Sequence, residues 1–198
     1  MEVDLRRLQR QAAEGADRHR ELSLRTAVSI VLDDARGKLE PVRAELDPRA
    51  VAAGIPLHVT LLFPFVPRDR LDENVFRALQ ELFAARAPFT LTLVGIDEFP
   101  GVAYAVPEPR GELREWIESL CERFPDCPPY GGEFAEVVPH ATLGTWEDPR
   151  RQDERVARAR ELTRGMFPLS CRIQDVALLE EHAPDRWREL RRFALGVS

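Results

Sequence analysis

The sequence predicts an α+β fold built on antiparallel or mixed sheets. Segments with the period of strands alternate irregularly with segments of helical period, and several strand segments follow one another directly. The 198 residues suit one domain, or two small lobes that share a core. Hydrophobic residues make up 44% of the chain and charged residues 31%, which is ordinary for a globular protein. A doubly wound parallel sheet would need a more regular alternation.

The first half of the chain begins with a charged segment. Residues 1–25 predict an arm or helix attached to one domain of residues 26–198. Thr26–Leu32 is rich in β-branched residues and predicts a strand. The next elements are a short helix over Leu39–Leu46, a strand over Leu57–Phe63, and a helix capped by Asp72 that buries Val75, Leu79 and Leu82.

The second half opens with two strands, Phe89–Val94 and Val102–Val106, which are joined by a Pro-Gly turn. A strongly amphipathic helix follows Pro109, and residues 125–132 form a turn-rich loop that is long enough to overhang a site. The remaining elements are a helix capped by Asp148, a strand over Phe167–Leu179, a connection over Glu180–Arg186 that contains an exposed His182, and a strand over Trp187–Leu195.

Two of the strand-like segments share the pattern His-x-Thr-Leu. His58 and Thr60 lie in the first, and His140 and Thr142 lie in the second. Because side chains alternate along a strand, each His and its Thr point to the same face. One such pair is usually accidental, but two copies among only four histidines are a much stronger signal.

Two histidines and two threonines are suited to phosphodiester hydrolysis. Imidazole can act as base or acid near neutral pH, so two of them can deprotonate water and protonate the leaving alkoxide. Threonine hydroxyls can donate hydrogen bonds to the non-bridging oxygens of phosphate. This chemistry requires no cofactor or metal, and no metal-ligand spacing such as His-Glu-x-x-His is present.

On these two motifs the chain resembles the 2H phosphoesterase superfamily, which contains the RNA 2′,3′-cyclic phosphodiesterases often labelled 2′-5′ RNA ligases. The resemblance implies a bilobal domain with pseudo-two-fold symmetry, whose two sheets and flanking helices enclose a central cleft. It implies that His58 and His140 are the catalytic acid and base, and that Thr60 and Thr142 bind the phosphate. The implied reaction opens a 2′,3′-cyclic phosphate, at an RNA end or on a small nucleotide, to a 2′-phosphate, with 2′-5′ ligation as a further activity.

Aromatic residues near the motifs are candidates for substrate binding. Strict alternation places Trp146 on the face of His140, where it can stack on a base, although packing on the following helix is an equally good interpretation. Gly144, on the same face, would leave room for a ligand. Tyr104 and Tyr130 are weaker candidates. Alternation assigns Phe63 to the core.

Charge and composition limit the partners. The net charge of −6 argues against a protein that binds long nucleic acid mainly through its phosphates. The first arginines after the second motif are Arg150 and Arg151, so RNA ligation is less favoured than hydrolysis. No apolar run suits a membrane span or a signal peptide, and three cysteines show no metal spacing. We therefore expect a cytoplasmic monomer with reduced thiols that binds neither metal nor membrane.

Two other hypotheses remain open at the level of sequence. The first is a non-catalytic module that binds nucleotide or phosphate in the same cleft, although a pure binder has no need for two titratable histidines. The second is a structural role, in which both histidines are buried, hydrogen-bonded and far apart. The positions of the two imidazoles decide between the structural role and the others.

Overall fold

The computed structural model describes residues 24–133 and 136–196, so most of the arm predicted over residues 1–25 lies outside it. The described chain forms two four-stranded antiparallel sheets and five α-helices. The strands are β1 (Thr26–Val31), β2 (His58–Leu62), β3 (Phe89–Phe99), β4 (Val102–Glu108), β5 (Ala141–Thr145), β6 (Leu169–Ile173), β7 (Asp175–Ala183) and β8 (Arg186–Ala194). The helices are α1 (Asp33–Leu46), α2 (Pro48–Ala52), α3 (Glu73–Ala84), α4 (Arg110–Arg123) and α5 (Gln152–Leu162).

The two sheets repeat one arrangement. The first sheet has the strand order β2-β1-β7-β8 and the second has the order β5-β4-β3-β6, so each motif strand is an edge strand. Helices α3 and α4 contact the first sheet, and α1 and α5 contact the second. One large apolar core lies between the helices and the sheets. The predicted α+β fold with two lobes and flanking helices is confirmed.

Local sequence signals explain where several elements begin. The Asp72 carboxylate accepts hydrogen bonds from the backbone N–H groups of Asn74 and Val75, both at 2.9 Å, and so starts α3 as predicted. Helix α1 begins at Asp33, well before the predicted Leu39. The reason is that Asp33 and Asp34, which directly follow the predicted strand, place negative charge at the positive end of a helix.

The single strand predicted over Phe167–Leu179 is wrong. The segment forms β6 and β7, which belong to different sheets and meet at Gln174. Strand β6 is an edge strand with one buried face, whereas β7 lies inside its sheet and is buried on both faces. No glycine or proline marks the change, so the sequence carries no signal for it. The connection predicted over Glu180–Arg186 is shorter in the structure, because β7 extends to Ala183. Exposed His182 therefore lies in β7 instead of a turn.

Both motif strands carry a β-bulge directly after the threonine. In β2, Ser29 pairs with Thr60 while Val28 pairs with Leu62, so one residue of β2 is extra. In β5, Tyr104 pairs with Thr142 while Ala103 pairs with Gly144, so β5 has the same irregularity at the same place in the motif. A bulge reverses the alternation of faces beyond it. Assignments made by strict alternation therefore hold up to Leu61 and Leu143, the residues directly after the threonines, and fail beyond them.

Candidate active site

The two His-x-Thr motifs lie on neighbouring edges of the two sheets. Strand β2 contacts β5, which brings both motifs to one place in the fold. His58, Thr60, His140 and Thr142 are all partly buried, between buried neighbours along their strands. Electrostatic repulsion between the two imidazolium charges is among the causes that lower the pKa of His58, as expected when His140 is nearby. The arrangement gives one site with two titratable rings and two hydroxyls.

The two imidazoles are held in the same way. His58 Nδ1 lies 2.8 Å from the carbonyl oxygen of Pro56, and His140 Nδ1 lies 2.8 Å from that of Val138. A carbonyl oxygen can only accept a hydrogen bond, so each Nδ1 carries a proton and donates it. In the neutral ring the lone pair is then on Nε2. The backbone two residues upstream thus orients both rings and leaves each Nε2 available for proton transfer.

The surroundings of His58 favour its neutral form. Burial, reinforced by the nearby Arg43 guanidinium, lowers the pKa of His58 to about 4. Arg43 is itself buried and donates to Glu40 at 2.9 Å and to the carbonyl oxygen of Ile55 at 3.0 Å. His58 Nε2 lies 3.1 Å from Thr60 Oγ1. Because Nε2 has no proton in the neutral ring, the Thr60 hydroxyl donates this hydrogen bond.

Tyr130 joins this network from the turn-rich loop over residues 125–132. Its backbone N–H donates to the carbonyl oxygen of Phe63 at 2.6 Å, and its hydroxyl hydrogen-bonds to Thr60. Burial raises the pKa of Tyr130, so the phenol keeps its proton. Its φ of 50° lies in the left-handed region, which is uncommon for residues other than glycine and recurs at functional sites. The loop therefore places the Tyr130 side chain beside that of Thr60.

The surroundings of His140 are aromatic. Its ring meets Phe99 edge-on, with centroids 5.2 Å apart, and Tyr104, with centroids 5.3 Å apart. Phe99 and Tyr104 stack on one another at 4.3 Å. Burial lowers the pKa of His140 below its ordinary value. Among the described residues no hydrogen bond reaches His140 Nε2.

Tyr104 packs against His140 and is almost entirely buried. Only 3% of its surface is exposed, and its hydroxyl hydrogen-bonds to Asp97, its neighbour across the strands. Burial raises the pKa of Tyr104, so it too is a neutral phenol. This placement leaves little of the ring for a ligand. A role in positioning His140 fits the contacts better than direct substrate binding.

Trp146 packs on the following helix, which was one of its two interpretations from sequence. Its indole N–H donates to Gln152 Oε1 at 3.2 Å, and the Arg155 guanidinium lies 5.8 Å from the ring centroid. Both partners belong to α5. A Cβ on Gly144 would lie 2.7 Å from Leu46 Cβ, so this glycine makes room for α1 and not for a ligand. The bulge in β5 explains why alternation misplaced both residues.

Sequence reasoning missed the aromatic neighbours of both motifs. Phe99 lies beyond the predicted end of β3, and Trp187 had no assigned role. Phe63 was assigned to the core, but the bulge in β2 turns it away from the main core. It packs instead with a separate cluster of Ala27, Ala177 and Leu179. A bulge leaves no composition signal, so only the strand pairing reveals these positions.

The described residues include no group of three or more His, Cys, Asp or Glu that could hold a metal ion. Cys121, Cys127 and Cys171 are free thiols. Within residues 24–133 and 136–196, no helix has the length and apolar character of a membrane span.

The sequence matches one known protein family over most of its length. The model of the 2′-5′ RNA ligase superfamily matches residues 31–185, which include both motifs. The chain belongs to this superfamily. The family predicted from His58, Thr60, His140 and Thr142 is thereby confirmed. No curated protein matches the sequence.

Several solved structures share the fold of this superfamily member. TT0787 of Thermus thermophilus is 23% identical, with a TM-score of 0.57, and the match covers 88% of this chain and 99% of that one. E. coli LigT complexed with NADP+ is 23% identical, with a TM-score of 0.54 and coverage of 88% and 98%. LigT complexed with 3′-AMP is 24% identical, with a TM-score of 0.52 and coverage of 88% and 99%. At these identities the similarity concerns the fold alone.

Proposed function

We propose that this protein is a metal-independent phosphodiesterase that opens a 2′,3′-cyclic phosphate to a 2′-phosphate. The observation that carries the proposal is the matched anchoring of the two imidazoles. Both Nδ1 atoms are held at 2.8 Å by a carbonyl oxygen two residues upstream, on neighbouring edges of the two sheets. A cyclic phosphate between the rings would meet a proton acceptor on one side and a proton donor on the other.

In the proposed reaction His58 is the general base. Its pKa of about 4 keeps the free imidazole neutral, with the lone pair on Nε2. Binding of the anionic phosphate raises the proton affinity of both histidines, which brings His58 closer to the strength needed to take a proton from water. As the Nε2 lone pair takes that proton, the water oxygen forms a bond to phosphorus.

The departing oxygen is proposed to receive its proton from His140. The bond between phosphorus and O3′ breaks, and protonated His140 donates from Nε2 to O3′, which leaves a 2′-phosphate and a 3′-hydroxyl. His58 ends protonated and His140 neutral, and exchange with water restores both. Thr60 turns its hydroxyl from His58 to a non-bridging oxygen, while Thr142 and Tyr130 donate to the phosphate.

The relatives support a nucleotide as substrate. LigT has been solved in complex with NADP+ and with 3′-AMP, so this fold accommodates nucleotides. The substrate proposed here is a 2′,3′-cyclic nucleotide, either free or at an RNA end. Ligation of RNA ends through a 2′-5′ bond would use the same groups with a 5′-hydroxyl in place of water as the nucleophile, and the acidic net charge of −6 makes it the lesser activity.

The test is hydrolysis of adenosine 2′,3′-cyclic phosphate and of an oligoribonucleotide with a 2′,3′-cyclic end, both in the presence of EDTA. The product isomer is identified by phosphorus NMR or chromatography against 2′- and 3′-phosphate standards. We expect turnover to the 2′-phosphate, unaffected by EDTA and absent from the His58→Ala/His140→Ala double variant. A contaminating ribonuclease would produce the 3′-phosphate and would act equally in the variant sample.

Two results would overturn the proposal. Turnover that EDTA abolishes and added metal restores would show that the histidines are not sufficient. Tight binding of 2′-AMP by a folded protein without turnover of either substrate would instead support the non-catalytic binding module.

A further inference from the structure

A buried cation on α1 lies close to His58. Arg43 is buried, and a guanidinium is rarely buried unless it is paired or belongs to a site. Its Nη1 donates to Glu40 at 2.9 Å, and its Nη2 donates to the carbonyl oxygen of Ile55 at 3.0 Å. The reaction proposed for His58 gives Arg43 no contact with the reacting atoms. The presence of this charge beside the site therefore needs its own explanation.

Arg43 connects the two lobes at the anchor of His58. It belongs to α1, which contacts β5, the strand of the second motif. Its acceptor Ile55 directly precedes Pro56, whose carbonyl oxygen holds His58 Nδ1 at 2.8 Å. The backbone that orients His58 is thus tied to a helix that packs on the lobe of His140. A shift in this tie would move one imidazole relative to the other.

The two charges of the Glu40–Arg43 pair are unequally exposed. The Arg43 side chain is 4% exposed, whereas that of Glu40 is 26% exposed. Water therefore screens the carboxylate more than the guanidinium, and the buried side of the pair keeps a net positive potential. This potential reaches the site, because the Arg43 charge is among the causes that lower the pKa of His58.

Few other charged groups face His58. From β5 the second titratable ring, His140, also lowers its pKa, and from the loop Tyr130 presents a neutral phenol. From α1, Glu40 lies behind Arg43. Within residues 24–133 and 136–196, Arg43 is the one permanently charged cation among the causes that lower the pKa of His58.

The sequence places no cation directly after either motif. The first basic residue after the first motif is Arg68, and the first after the second motif is Arg150. An anionic phosphate bound beside the two motifs would nevertheless be stabilised by a nearby positive charge. Arg43 has the charge and the position to provide this stabilisation from the protein interior.

We infer that the Glu40–Arg43 pair supplies the fixed positive potential that attracts the anionic phosphate, and that Arg43 is a positioning residue for His58. This inference rests on the proposed function and adds two residues to its site. Arg43 needs no contact with the substrate, since a charge in a protein interior acts over several ångströms. Glu40 opposes Arg43, so removing either charge should have opposite effects on anion binding.

The test removes one charge at a time. Glu40→Gln keeps an acceptor for Arg43 without the negative charge, so it should lower the pKa of His58 and tighten the binding of 2′-AMP by about 3- to 10-fold. Arg43→Met removes the cation, so it should raise that pKa and weaken the binding by about 10- to 100-fold. NMR titration of carbon-labelled histidine, assigned with His58→Ala, measures the pKa, and calorimetry measures the binding. Neither measurement requires turnover.

Arg43→Lys separates the charge from the tie between the lobes. Lysine keeps the charge but lacks the fork that donates to Glu40 and Ile55 together. We expect the pKa of His58 to stay close to that of wild type and the affinity for 2′-AMP to stay within about twofold. In contrast, kcat for adenosine 2′,3′-cyclic phosphate should fall by about 3- to 10-fold, because the anchor of His58 is less firmly placed.

The matched control is Glu45→Gln. Glu45 is also on α1 and pairs with Arg158 at 2.6 Å, but both side chains are nearly half exposed. The change removes the same charge from the same helix. Because water screens this pair, we expect the pKa of His58 to be unchanged and the affinity for 2′-AMP to stay within about twofold. Thermal unfolding of all variants reports general damage, and Glu40→Gln decides the inference if Arg43→Met does not fold.

The outcomes separate this inference from the proposed function. An unchanged pKa of His58 and an unchanged affinity in Glu40→Gln would overturn the electrostatic role while hydrolysis stands. Equal changes in Glu40→Gln and Glu45→Gln would overturn it too, because net charge alone would then explain them. An unchanged kcat in Arg43→Lys would overturn the positioning role. If the wild type hydrolyses no cyclic phosphate, the proposed function and the positioning role both fail, whereas the titration of His58 still decides the electrostatic role.

Discussion

The His58 and His140 halves of the site share a motif, an edge-strand position, a bulge and a carbonyl anchor, yet they differ in what surrounds the imidazole. His58 Nε2 accepts from Thr60, which in turn bonds to Tyr130, and the buried Arg43 lies nearby. His140 is enclosed by Phe99 and Tyr104 instead. The backbone features fix where the two rings stand. The neighbouring side chains determine how readily each ring holds a proton.

In the proposed mechanism this difference gives the two histidines separate tasks. A hydroxyl that donates to Nε2 stabilises the neutral ring, and a nearby guanidinium opposes its protonation, so His58 is prepared to accept a proton. His140 has neither of these features among the described residues. A bound phosphate can therefore raise its pKa against the effect of burial alone and keep it protonated. If both histidines had a hydroxyl donor to Nε2 and a nearby guanidinium, both would be weak bases and neither would serve as the acid.

The largest expected effect comes from removing either imidazole. His58→Ala and His140→Ala should each lower kcat/KM for a 2′,3′-cyclic nucleotide by about 10²- to 10⁴-fold, and the double variant should lose little more, because the two groups act in one step. Steady-state kinetics on folded variants measures this. Activity within tenfold of wild type in either single variant would contradict the proposed mechanism.

A substrate with a better leaving group separates the acid from the base. A nucleoside 2′-(4-nitrophenyl phosphate) releases nitrophenolate, which needs no proton. His140→Ala should therefore retain most of its activity on this ester, whereas His58→Ala should lose activity on both substrates. The opposite pattern would reverse the two assignments.

The pH dependence of kcat/KM tests both histidines together. The reaction needs His58 neutral and His140 protonated, and kcat/KM reports the free enzyme. The pKa of His58 is about 4, and burial lowers the pKa of His140 below its ordinary 6.5. Activity should therefore fall below pH 4, because His58 is then protonated, and should fall by about tenfold per unit above 6.5, because His140 is neutral. A maximum above pH 7 would contradict this assignment.

The threonines should differ in a way that sharpens the comparison. Thr60→Val and Thr142→Val each remove a donor to an anionic phosphate, which we expect to cost about 10- to 100-fold in kcat/KM. Thr60→Val also removes the donor to His58 Nε2. Its acid limb should therefore move to higher pH, because the neutral ring loses its hydrogen bond, while that of Thr142→Val should not move. Thr60→Ser is the control and should restore the wild-type limb.

The four motif residues and the α+β fold could be predicted because they depend on local patterns that are visible in the sequence alone. The directions of the side chains beyond the residue that follows each threonine could not be predicted. The bulges in β2 and β5 reverse the faces after Thr60 and Thr142, so Phe63 and Trp146 were misplaced. The contact between the backbone N–H of Tyr130 and the carbonyl oxygen of Phe63 joins residues far apart in sequence, and no periodicity encodes it.

The smallest effects are expected from the two tyrosines, one in each half. Tyr130→Phe removes the hydroxyl that bonds to Thr60 and should lower kcat/KM by about 3- to 10-fold, with stability unchanged. Tyr104→Phe removes the hydroxyl that bonds to Asp97 and leaves the ring against His140. It should lower the free energy of unfolding by about 0.5–1.5 kcal/mol and leave kcat/KM within twofold. Urea unfolding and kinetics on both variants measure this. A catalytic loss in Tyr104→Phe at full stability would mean that this hydroxyl reaches the substrate, and the two halves would then be more alike than their contacts indicate.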